Sequence, residues 1–252
     1  MTNLIAKATH MNTFNRTLAI GDIHGGYRAM MQCLERSEFN YKKDRLISLG
    51  DGADGWSGVV ECIEELHKIK NLVYIIGNHD LWLMRWLEYG DTPRIWTSQG
   101  GRASIDSYHR LPDDTRLKVM KRHLKFFNKG VYYFVDEQNR LFVHGGFNWH
   151  KPIEEQLPYD LTWDRHLWET SGYWNKVKKN EDLFVKQYKE VFIGHTSTSW
   201  YNKTLMPVNF TNVWNLDQGG GFEGKLTLMD VESKEFWQSD IVKTLYPEEK
   251  GR

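Results

Sequence analysis

Residues 17–24 read TLAIGDIH, residues 45–54 read RLISLGDGAD and residues 72–80 read LVYIIGNHD. Each begins with an apolar run long enough for one buried strand and stops at a glycine followed by Asp or Asn. Between them, Tyr27–Glu38 reads as a helix. Val59–Lys70 reads as a second, with Val59, Ile63, Leu66 and Ile69 at helical spacing. Three strand–loop–helix units in succession predict a parallel sheet with crossover helices.

The same layout recurs further out. Residues 131–135 and 140–143 predict a hairpin whose second strand runs into His144-Gly145-Gly146, and Val191–Ile193 runs into Gly194-His195-Thr196. Residues 81–130 read as mostly helical and amphipathic, broken near Pro93 and Gly100-Gly101. Residues 147–189 read as irregular to helical, and short strands are predicted at 205–208, 212–216, 225–230 and 235–238. The sequence has neither an internal repeat nor a linker, so one domain is expected over residues 1–252, with its core at about 17–240.

Composition narrows the function. The chain of 252 residues is 40% hydrophobic and 14% aromatic, enough for a sizeable core. Lys+Arg and Asp+Glu both number 33, so no overall field holds the chain on nucleic acid or an anionic membrane. Cys33 and Cys62 fall in predicted helices without a cysteine framework, which fits a reducing, cytoplasmic compartment. Residues 1–16 lack the apolar core and cleavage site of a signal peptide, and no apolar run is long enough to span a membrane.

Five strand ends thus carry Asp22 and His24, Asp51 and Asp54, Asn78 and His79, His144, and His195. Ligands of open α/β sheets gather at the carboxyl ends of strands. Neighbouring glycines let the backbone turn and approach closely. Carboxylate and imidazole donors suit Mn, Fe or Zn. Asp22, His24, Asp51, Asn78, His144 and His195 exceed what one tetrahedral zinc needs. They fit two divalent ions about 3.5–4 Å apart, with Asp51 bridging. Any one Asp-x-His or Gly-His-Thr is ordinarily structural, but five in this order are not. His10, His67, His109, His123, His150 and His166 lack the glycine-flanked strand end and read as surface or core residues, with His150 and His166 possible at the rim.

The ordered set GD-x-H, GD-x-x-D, GNH-D, HGG and GHT resembles the calcineurin-like metallophosphoesterases. It is most similar to the bacterial and phage serine/threonine phosphatases and the symmetrical dinucleoside tetraphosphatases. Ser98–Gly101 with Ser107-Tyr108, Trp163-Asp164-Arg165, and Asp217 with Gly219–Gly221 and Gly224–Leu226 extend the resemblance. It implies a four-layer αββα sandwich with two mixed sheets. It also implies His79 as general acid, Asp54 orienting His79, and Arg165 and Asn78 binding the substrate phosphate, with manganese the first-choice metal. There are two departures. Where the phosphatases carry Arg after GD-x-x-D, this chain has Gly55 and then Trp56, leaving Arg85, Arg94 or Arg102 as candidate substitutes. Where the protein phosphatases read GNHE, it reads GNHD, as on the tetraphosphatase side. Trp56, Trp82, Trp86 and Trp96 read first as helix packing and second as nucleobase platforms.

The reading that follows is hydrolysis of phosphomonoesters, with phosphoserine or phosphothreonine proteins as first-choice substrates. The alternative is a nucleotide or dinucleoside polyphosphate hydrolase. A non-catalytic binding module is disfavoured by the intact ligand set. The zero net charge disfavours a nuclease, and with it a nucleic-acid partner.

Overall fold

A computed structural model describes residues 6–7, 14–178 and 183–252. The expectation about a signal peptide, and His10, lie outside the described residues. Three strands, β2 (Thr17–Ile20), β3 (Arg45–Ser48) and β4 (Asn71–Tyr74), lie side by side and parallel, as predicted. The crossovers are α1 (Tyr27–Arg36) and α2 (Val59–His67), each ending before its predicted last residue. The strand β10 (Thr227–Asp230) pairs antiparallel with β2, and β11 (Phe236–Gln238) with β10, completing a five-stranded sheet.

The second sheet has six strands in the order β1-β5-β6-β7-β9-β8. Its members are β1 (Ala6–Lys7), β5 (Tyr133–Val135), β6 (Arg140–Val143), β7 (Glu190–Ile193), β8 (Val208–Phe210) and β9 (Val213–Asn215). The hairpin β5–β6 is antiparallel as expected, whereas β6, β7 and β9 run parallel. The predicted strand at 205–208 is displaced: β8 begins at Val208 and pairs with β9 through Phe210. The predicted helical stretch 81–130 holds α3 (Asn78–Tyr89), α4 (Arg94–Trp96), α5 (Arg102–His109) and α6 (Asp113–Phe127). The stretch 147–189 holds α7 (Pro158–Trp163) and α8 (His166–Lys178). Short helices α9 (Thr198–Tyr201) and α10 (Val242–Leu245) follow. Cys33 and Cys62 are free and buried on α1 and α2.

Strand periodicity explains the layering. Leu18, Ile20 and Leu46 pack with helix residues such as Met30, Cys33, Val59 and Ile63. The intervening Ala19, Ile47 and Met229 face Phe134, Phe142 and Phe192 of the other sheet. Each strand therefore sends alternate side chains into a helix–sheet layer and a sheet–sheet layer, giving the αββα sandwich. An isolated bridge, Ile75 with Val131, links the end of β4 to the start of the second sheet. The carboxyl ends of β2, β3 and β4 therefore open on the same side as those of β6 and β7. No helix among the described residues is long and apolar enough to cross a membrane.

Candidate metal centre

The structure brings all six sequence-predicted ligands to that edge. Two donor triads form there, Asp51–His144–His195 and Asp22–His24–Asp51, and the donor atoms within each lie within 4.8 Å of one another. Asp51 belongs to both. Its Oδ1 accepts the His79 backbone N–H at 2.9 Å. Its Oδ2 faces His144 Nε2 at 3.4 Å and His24 Nε2 at 3.6 Å.

Backbone groups aim the imidazoles. The Ala53 carbonyl stands 3.0 Å from His24 Nδ1, fixing the N–H there and leaving Nε2 toward Asp51. The Leu49 carbonyl takes His144 Nδ1–H at 2.7 Å. The His195 backbone N–H donates to Asp22 at 3.1 Å. His24, Asp51, Asp54 and His195 all hold positive φ, between 47° and 71°. Non-glycine residues adopt this region rarely and at a cost, and such outliers cluster at functional sites. The neighbouring glycines are sterically required. A Cβ on Gly77 would stand 2.1 Å from Asp51 Oδ1, and one on Gly194 2.1 Å from Asp22 Oδ1.

Whether these residues fit a cation can be tested on their unmet bonding. Asp51 Oδ2, Asn78 Nδ2, His79 Nε2 and both ring nitrogens of His195 are buried without a hydrogen-bond partner. Such atoms are ordinarily paired, and an orphaned carboxylate oxygen beside orphaned imidazole nitrogens suits a bound cation. The electrostatics agree. Burial pushes the Asp51 carboxyl up, but His144, His79 and His24 outweigh it and hold it well below the usual range. Burial pushes His144 down, yet Asp51 and Asp22 carry it up to about 9. Its Nε2–H then donates to Asn78 Oδ1 at 3.0 Å. A proton on His144 thus stands where a metal's charge would be.

Beside the triads, His79 Nδ1 meets Asp54 Oδ2 at 2.6 Å, the predicted pairing. Asp54 also accepts from Trp96 Nε1 at 2.8 Å and Ser104 Oγ at 2.7 Å; Trp96, expected as helix packing or a nucleobase platform, thus holds the acid that orients His79, and Ser104 carries no sequence signal for that role. Trp82 packs its edge against His79, with ring centroids 5.0 Å apart. Burial lowers His79 to about 3. Asp80, also missed, collects the backbone N–H groups of Gly77, Asp51 and Ala53 and the Tyr74 hydroxyl, tying two ligand loops together.

Arg165 lies at the site and donates from Nη1 to the His195 carbonyl at 3.1 Å. It lines a cavity of about 510 Å³ with His195, Ser197, Trp200, Tyr201, Asp217, Phe222 and Arg252. The three arginines named as substitutes do not reach it. Arg85 is exposed and paired with Asp91, and Arg94 and Arg102 are exposed. Arg252, which the sequence reading passed over, places Nη1 3.0 Å from His24 Nε2. Trp56 is fully buried, donates to the Gly220 carbonyl and stacks on Tyr246, so it is packing. His150 and His166 are exposed and outside the triads.

A family model described as calcineurin-like phosphoesterase matches residues 15–242. A symmetrical bis(5'-nucleosyl)-tetraphosphatase of Pseudomonas putida is 38% identical over 226 residues, covering 87% of this chain and 68% of that protein. One of Coxiella burnetii is 36% identical over 141 residues, 56% of this chain, and the match spans only 45% of that relative's length. A crystal structure provisionally described as a diadenosine tetraphosphatase superposes with a TM-score of 0.63 at 14% identity, covering 92% of this chain and 96% of that one.

Proposed function

Because the chain belongs to the calcineurin-like phosphoesterase family, a family of metal-dependent phosphoester hydrolases, we propose that it hydrolyses a nucleotide or dinucleoside polyphosphate. The observation that carries the reading is the pair of donor triads sharing Asp51 beside a cavity walled by Arg165 and the rings of Trp200, Tyr201 and Phe222. Anionic oxygens suit the first of these groups and a nucleobase the others. The GNHD sequence and the tetraphosphatase relatives favour this substrate over the phosphoprotein that the motifs alone put first.

Asp22, His24 and Asp51 would hold one divalent ion, and Asp51, Asn78, His144 and His195 the other, with manganese the first choice and iron or zinc the alternatives. When bound, such a pair supplies Lewis-acid polarisation of the phosphoryl oxygens and lowers the pKa of water. The protein's own groups do the rest. Asn78 Nδ2 and the Arg165 guanidinium orient the phosphoryl group. His79, fixed by Asp54 through Nδ1, presents Nε2 toward the leaving oxygen. Burial lowers the His79 pKa, and an anionic substrate opposes that shift. A good leaving group such as a nucleoside diphosphate asks little of that proton, another point in favour of an anhydride. The compartment consistent with such a substrate is the cytoplasm.

The test is a substrate panel on the manganese-loaded protein: diadenosine tetraphosphate, a phosphoserine peptide and p-nitrophenyl phosphate. The kcat/KM for the tetraphosphate should exceed that for the peptide by at least about tenfold, one decade of transition-state stabilisation. A preference for the peptide would return the phosphoprotein reading to first place.

A further inference from the structure

We propose that Arg252 is a phosphate-binding residue of this site, supplying from the segment after α10 the guanidinium that Gly55 does not carry. Several observations converge on it. The segment is strapped to the loop after β3. Tyr246 stacks on Trp56, with ring centroids 5.3 Å apart. The Glu249 carboxylate takes the Ser57 N–H at 2.8 Å and its hydroxyl at 2.6 Å. Gly251 sits against Trp56 at φ 73°. The Arg252 N–H donates to the Gly221 carbonyl at 2.8 Å. Its guanidinium lies over the Phe222 ring, 5.3 Å from the centroid. The side chain is thus delivered to the mouth of the cavity by a fixed backbone.

Arg252 and Arg165 line the same cavity, each without a close ion pair among the described residues, and the Asp217 carboxylate on that wall feels the Arg252 charge only at a distance. The acid on that wall, Asp217, gives Oδ1 to the Gly219 N–H at 2.8 Å. Two guanidinium groups flanking one cavity, facing a single acid whose Oδ1 is engaged by a backbone N–H, favour an anion with several oxygens. A metal ion on His24 Nε2 would displace Arg252 Nη1 from that nitrogen. The Gly221 bond and the Phe222 ring would hold the guanidinium at the cavity mouth, within reach of a phosphoryl oxygen. A side chain at position 55 would be strained. Gly55 stands at φ 84°, and a Cβ there would meet the His24 carbonyl oxygen at 3.0 Å.

The proposal does not depend on which phosphoester is the natural substrate, so inorganic phosphate serves as the probe. Wild type and Arg252→Gln are loaded with manganese, and metal content is measured alongside phosphate binding by calorimetry and phosphate inhibition of p-nitrophenyl phosphate hydrolysis. Arg252→Gln should keep both ions, weaken phosphate by at least about tenfold and raise KM more than it lowers kcat. Arg252→Lys should recover part of the loss. Phe222→Leu, which keeps the guanidinium but removes the ring beneath it, should weaken phosphate by a smaller factor. Unchanged phosphate affinity in Arg252→Gln overturns the assignment. So does tighter metal binding with no effect on phosphate, since the guanidinium would then only fill a coordination position on His24.

Discussion

His79 sits between opposing demands. Burial lowers its pKa to about 3 against the opposing pull of Asp51, while Asp54 fixes Nδ1 at 2.6 Å. His79→Asn should keep both metals and lower kcat on alkyl phosphates by about 10²–10⁴-fold. The loss should shrink toward unity on p-nitrophenyl phosphate and on diadenosine tetraphosphate, whose leaving groups need little protonation. Steady-state kinetics across leaving groups checks it, and a uniform loss would remove His79 from the proton-transfer role. His144 makes a different prediction. Asp51 and Asp22, against the effect of burial, carry its pKa up to about 9, so in metal-free protein at pH 8 it is largely protonated. Metal ligands must be deprotonated. Manganese binding at pH 8 should therefore release protons into weakly buffered solution, and the release should fade as pH rises past about 9. His144→Ala should reduce it, leaving any share from Asp22, whose carboxyl burial also pushes up, and should empty one metal position. The ligands themselves were legible in the sequence because each lies beside or within two residues of a strand-end glycine, and at Gly77 and Gly194 a Cβ clash makes that glycine obligatory. Arg252 and Ser104 were not, since they reach the site from segments whose local sequence carries no pattern pointing there. Asp80 had a signal, an acid three residues after Gly77, where it accepts that glycine's N–H at 2.9 Å.

At the scale of elements, the strands decide where chemistry can occur. The parallel β2–β3–β4 set was readable from its apolar runs. The pairing of β8 was not, because its residues are only half-buried and an edge strand is weakly patterned. Phe142 and Phe192, cross-strand neighbours in the second sheet, stack at 4.9 Å between centroids with an 11° interplanar angle, both fully buried, and pack with Ala19, Ile47 and Met229 of the first sheet. Phe192→Ala should cost about 3–5 kcal/mol by cavity formation. It should lower the urea midpoint without changing the slope. A loss below about 1 kcal/mol would mean that the sheets are held together elsewhere.

Across the whole molecule, a polar cluster outside the two donor triads also responds to pH. His123 on α6 faces the Tyr108 hydroxyl at 2.7 Å and Glu64 at 2.7 Å. Burial lowers its pKa to about 4, against the opposing pull of Glu64. The folded state thus binds this proton less readily than the unfolded chain, whose histidine titrates near about 6.5. Its contribution is fully present above about 6.5 and is lost as pH falls toward about 4. His123→Gln should flatten the stability profile across that window, read as the difference between variant and wild-type urea midpoints. Identical slopes would mean that the pair is insulated from titration.

The two triads draw on both sheets: Asp22, His24 and Asp51 come from one, His144 and His195 from the other. Neither sheet alone offers two complete sets of donors, so a chain with one sheet formed binds the ion pair poorly. Metal then acts as a selective pressure within the folding ensemble, draining population from half-assembled states. At an ion concentration of about 100 times the dissociation constant, each bound ion would deepen the native well by about 2.7 kcal/mol. Amide exchange should slow together in β3 and β7, strands that share no hydrogen bond, and chelation should release both at once.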